Sequence, residues 1–138
     1  MGYLVRMGEN ELDPSRIREL LRHPGLLEAT LVDLRVEVDT LLRTLREALK
    51  AGDRAHVSFT AHTLHGLFAL LGAKRAKELG RAFEAWCNDD QCALPTVDAL
   101  ELAWRAALRA LDEAVVSSIQ AERTSASRPV ARDESERD

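Results

Sequence analysis

The chain has 138 residues, 46% of them apolar, which suits one globular domain with a real core rather than a disordered segment. A net charge of −4 with only 4% aromatic residues argues against a nucleic-acid partner, which calls for a basic footprint and stacking rings. No apolar run approaches the ~20 residues of a membrane span.

The opening MGYLVRMGENELD lacks the apolar core of a secretory leader, so a cytoplasmic chain is expected. It starts Met-Gly without the serine or threonine that N-myristoylation requires. After this N-terminal segment, residues 1–11, LDPSRIRELLR reads as a short helix with Pro14 near its start, where a missing N–H is tolerated. HPG ends it. A long helix is expected from Leu26 to about Ala51, with Leu31, Leu34, Val38, Leu41, Leu45 and Leu49 at three- and four-residue steps. Gly52 suits its C-terminal stop and Asp53 the next N-cap. The third helix is expected over Arg54 to Leu71, stopped by Gly72. A fourth, about Ala73 to Asn88, carries Ala76, Leu79, Phe83 and Trp86 on one stripe. NDDQCALP reads as a loop. A fifth helix, about Thr96 to Ala121, aligns Val97, Leu100, Trp104, Leu108, Leu111, Val115 and Ile119. From Glu122 the charged tail 122–138 shows no periodicity and is expected to be disordered. No segment alternates with period two. The connections are short, so residues 12–121 are expected to form an all-α domain, an antiparallel up-down four-helix bundle with a short additional N-terminal helix.

Cys87 and Cys92 lie in WCNDDQC. In a cytoplasmic chain they are expected as free thiols; a disulfide or half of a metal site is the alternative, with no second CxxC-type pair to complete one.

The third helix contains the unusual stretch SFTAHTLHGLFALLGA. Val57, Ala61, Leu64, Phe68 and Leu71 share one face, which must point to the core. His62 then lies about 140° from the centre of that face and Gly66 nearly opposite it. Phe59, Leu70, Ala55 and Ala69 also fall on the outward side. Apolar residues around an exposed imidazole suggest a docking surface, unless the first helix covers them. His23 and His56 read as ordinary surface residues. Glycine inside a helix costs about 1 kcal/mol against alanine. Because the apolar period continues past Gly66, this glycine is better explained as clearing space one turn from His62 than as a kink. A neutral imidazole is a competent nucleophile toward phosphorus. The chain has no P-loop, no kinase-type glycine loop and no cluster of acidic Mg2+ ligands, so a partner would supply the metal and the acidic acceptor.

These residues resemble the histidine-containing phosphotransfer (HPt) domain family, whose signature is roughly A-H-x-L-K-G followed by G-A. AHTLHG and GA match it through Ala61, His62, Leu64, Gly66, Gly72 and Ala73, and the flanks LREALKAGD and KELGRAFE agree. The resemblance covers about residues 12 to 120. It implies a four-helix core, a phosphoryl group carried on His62, and a relay between a hybrid sensor histidine kinase and the receiver domain of a response regulator. It implies a phosphoryl carrier rather than an enzyme, with no cofactor of its own and Mg2+ held by the receiver. Gly66, Phe59, Ala55, Ala69 and Leu70 would form the partner-binding surface. The family usually has lysine where His65 stands, to offset the phosphoryl charge. His65 can take that supporting role when protonated, or donate one hydrogen bond when neutral. Lys74, Arg75 and Lys77 can add positive potential, although surface charges are commonly just solvated. Two rivals remain: a metal-binding bundle built on His62 and His65 at i and i+3, which lacks a third ligand in the sequence, and an adaptor of the same fold that binds receivers or kinases without relaying phosphate.

Overall fold

The structure, a computed structural model, describes residues 11–126. Five helices follow in chain order: α1 (Pro14–Leu20), α2 (Pro24–Ala51), α3 (Arg54–Leu71), α4 (Lys74–Asn88) and α5 (Val97–Ala126). Among the described residues there is no strand, and no helix is long and apolar enough to cross a membrane. Residues 1–10 of the expected N-terminal segment 1–11, and the tail beyond Ala126, lie outside the described residues.

The helix ends follow from their local chemistry. Asp13 caps α1, its side chain accepting from the Ser15 amide, with proline in the first turn. Pro24 likewise opens α2, two residues before the expected start. Gly52 closes α2 in the left-handed region at φ 69°, and Asp53 then caps α3 by accepting from the His56 amide. Gly72 closes α3 with the same left-handed turn, also at φ 69°. The Thr96 hydroxyl accepts from the Ala99 amide at 3.1 Å, so α5 begins one residue later than expected. α5 also runs five residues past the expected end at Ala121, to Ala126. Helix propagation adds one hydrogen bond per residue and needs no apolar stripe.

The core is one cluster. It includes the Trp104 and Phe68 rings, with centroids 5.5 Å apart, and the fully buried Leu31, Val38, Leu45, Leu64, Phe83, Leu100 and Leu111. On α2 the buried line runs through Leu42 and Ala48, whereas the expected Leu41 and Leu49 are only partly buried. On α5 it takes in Ala103, Ala107 and Ala110, with Leu108 and Ile119 at the edge. Leu79 and Trp86 are likewise partly buried. α2 packs on α3 and α5, α4 on α3 and α5, and α1 on α3. Arg35 of α2 pairs with Asp112 of α5, and Arg46 pairs with Asp98 and Glu101 nearer the start of α5. Arg54 at the start of α3 stacks over Trp86 near the end of α4, 4.2 Å from its ring centre. The chain before α1 docks on the α3–α4 turn, the Asp13 amide donating to the Gly72 carbonyl at 2.7 Å. Both thiols are free; Cys87 is half-buried, and burial pushes its pKa up.

Candidate functional site

His62 stands near the middle of α3 with 76% of its side chain exposed. The helical period places it there: Ala61 and Leu64, on either side of it in the sequence, are fully buried. Ala55, Phe59, Gly66, Ala69 and Leu70 are all exposed on the same helix, Phe59 at 71%. α1 covers Leu70 only in part: the Arg16 guanidinium donates to its carbonyl at 2.8 Å, yet Leu70 stays 51% exposed. A Cβ added at Gly66 would meet nothing within 4 Å. The space beside His62 is therefore open.

Two residues of α4 that sequence reasoning did not single out complete the geometry. Gly80 is buried against α3; a Cβ there would lie 3.4 Å from the His65 Cα, so its lack of a side chain lets the two helices approach closely. One turn later, Glu84 reaches both histidines. Its Oε2 lies 3.2 Å from the His62 Nδ1 and its Oε1 2.9 Å from the His65 Nδ1. The only local signal was a glycine interrupting the α4 stripe four residues before an acid, in GRAFE.

A carboxylate oxygen only accepts, so each contact is an imidazole N–H donating to Glu84. In the neutral ring that contact puts the His62 proton on Nδ1 and the lone pair on Nε2. His65 and Glu84 are 20% and 22% exposed, so they form the buried side of the site, while the His62 ring stands out from it. The two imidazoles meet edge to face, 6.2 Å between centroids. The metal-binding rival gains the third donor it lacked: donor atoms of His62, His65 and Glu84 all lie within 4.8 Å of one another. Lys74 and Arg75 are exposed and Lys77 is half-buried at the start of α4. His56 is exposed and lies by Asp53 at the N-terminus of α3, outside this group.

The imidazole of His62 stands exposed on α3 of an all-helical domain, its inner nitrogen facing Glu84, at an open surface rather than in an enclosed pocket. The Hpt domain family matches residues 29–114, more than half of the chain, and the chain belongs to that family. No curated protein and no solved structure matches it significantly. Membership implies histidine phosphotransfer in two-component signalling. Hpt domains are phosphocarrier modules rather than classical enzymes, and they interact with receiver domains and kinases.

Proposed function

We propose that His62 accepts a phosphoryl group at Nε2 from the phosphoaspartate of one receiver domain and hands it to the aspartate of another. The relay runs in the cytoplasm between a hybrid histidine kinase and a response regulator. One observation carries this reading: the imidazole is exposed, its Nδ1 faces Glu84, and nothing crowds Gly66 beside it.

In the forward step the Nε2 lone pair attacks phosphorus, the N–P bond forms, and the P–O bond to the donor aspartate breaks. That aspartate leaves as a carboxylate. The ring keeps its Nδ1 proton and gains positive charge, which Glu84 offsets from the opposite side, as the acid of a nucleophilic triad steadies its imidazolium. The positively charged ring is then a good leaving group for onward transfer. His65 sits within reach to support the phosphoryl group, sharing Glu84 with His62. The receiver supplies Mg2+ and the acceptor acid. Phe59, Ala55, Ala69 and Leu70 form the apolar rim on which the receiver docks, and Gly66 admits its phosphoryl group. The helices serve this as an antiparallel up-down bundle, a reading supported by the short connections and by the Arg35–Asp112 and Arg54–Trp86 contacts.

The test is incubation of the full chain with a labelled, phosphorylated receiver. Acid-labile label should appear on the wild-type chain and be lost in His62→Gln. Binding of the receiver without label transfer would make the chain an adaptor and defeat the proposal.

A further inference from the structure

The carboxylate that orients His62 also creates a donor set with a different chemistry. Two imidazole nitrogens one turn apart on α3 and a carboxylate from α4 point into one small volume. In tetrahedral coordination at zinc–nitrogen distances, neighbouring donors stand about 3.3 Å apart. His62 and His65 already stand 3.2 and 2.9 Å from Glu84 through their Nδ1 atoms. The widest separation in the group, at most 4.8 Å, needs to close by no more than about 1.5 Å. Side-chain rotation of the exposed His62 supplies that, while the half-buried His65 and Glu84 hold their places.

We propose that His62, His65 and Glu84 bind a divalent transition-metal ion, Zn2+ foremost, and that the bound ion withdraws His62 from phosphotransfer. The second half rests on the phosphotransfer reading above; the first does not. Imidazole and carboxylate suit Zn2+, Cu2+ and Ni2+. Mg2+ takes oxygen ligands and holds its waters, so the receiver's own metal does not compete for this group. Three protein ligands leave the fourth zinc position to water. Inhibition follows whichever ring nitrogen of His62 coordinates. If Nε2 binds the ion, its lone pair is consumed. If Nδ1 binds, the single ring proton moves to Nε2 and occupies that lone pair instead. Either way no nucleophile faces phosphorus. His65 is what makes the site: an ammonium at this position would repel the ion.

Zn2+ is titrated into the full chain in competition with a chromophoric chelator. The wild type should take up one ion. Loss even of outer-shell partners typically weakens metal binding about 10- to 100-fold, so His65→Lys and Glu84→Gln should each weaken it by at least about tenfold. His56→Gln and Cys92→Ser should leave it unchanged. Equal affinity in all these chains would mean adventitious surface binding and overturn the site. Transfer from a phosphorylated receiver is then followed at fixed Mg2+ with and without Zn2+. The ratio of the two rates should fall at least about tenfold for wild type, in line with loss of the free imidazole, and stay near one for His65→Lys, which retains His62. Equal inhibition of both chains would place the effect on the receiver and overturn the regulatory half. A chain that binds Zn2+ through these residues yet accepts no phosphoryl group would sink the phosphotransfer reading and leave the metal site standing.

Discussion

Glu84 divides one carboxylate between two imidazoles, and each oxygen has a separate task. Glutamine at this position would keep one acceptor oxygen but lose the second acceptor and the charge. Glu84→Gln should therefore still accept phosphate on His62, but roughly 10- to 100-fold more slowly, less than the loss for the comparable change in a hydrolase triad because the incoming phosphoryl group is already activated. Single-turnover transfer from a receiver measures this; an unchanged rate would remove Glu84 from the mechanism. The two glycines near the site separate clearance from packing. Gly66 faces open space, so Gly66→Ala should stabilise the chain by about 1 kcal/mol and Gly66→Leu should fold normally while transferring poorly. Gly80 lies against the backbone of His65, so Gly80→Leu should cost about 1–3 kcal/mol through overpacking. Denaturant melts of the variants, read beside their transfer rates, check the pattern. Loss of stability in Gly66→Leu would contradict the open surface.

At the scale of the helices, α3 was legible to the residue, because Asp53 and Gly72 mark its ends with side-chain and backbone chemistry that needs no partner. The outward placement of His62 followed from the helical period alone. The buried line of α2 was less legible: Leu41 and Leu42 are adjacent, both apolar, and only packing against α3 and α5 decides which turns inward. The overrun of α5 to Ala126 was hidden because ERTSA carries no stripe. Glu84 was out of reach for a different reason. It meets His65 and His62 across 19 and 22 residues of chain, and only the register of α4 on α3 brings them together. That register depends on Gly80, whose role shows only once its neighbour across the interface is known.

Taken whole, the molecule keeps its site and its charge network apart. The α3–α4 hairpin carries His62, His65 and Glu84, whereas the interhelical ion pairs tie α2 to α5. The hydrogen bond from Arg46, followed by that from Arg105, holds the Glu101 carboxyl below its usual range. A carboxyl with a lowered folded-state pKa contributes fully above its unfolded value of about 4.3, and that contribution is lost as pH falls through the lower folded value. Acid denaturation should therefore steepen below about pH 4.3 in wild type and be shallower there in Glu101→Gln. Identical acid profiles would mean the pairing contributes nothing. The lengths of the helices have a further consequence. α2 and α5, of 28 and 30 residues, extend about 42 and 45 Å, while α3 and α4, of 18 and 15, reach only about 27 and 22 Å. Past Asp112, Val115 is the one buried residue of α5 among the described residues, and 120–125 are all exposed. Segments with less burial open first, so amide hydrogens in α5 beyond Asp112 should exchange well before those of α3 around Leu64. Hydrogen exchange read peptide by peptide would show it, and uniform protection along α5 would refute it. The chain can thus loosen at the far end of α5 while the α3–α4 hairpin keeps the imidazole aligned.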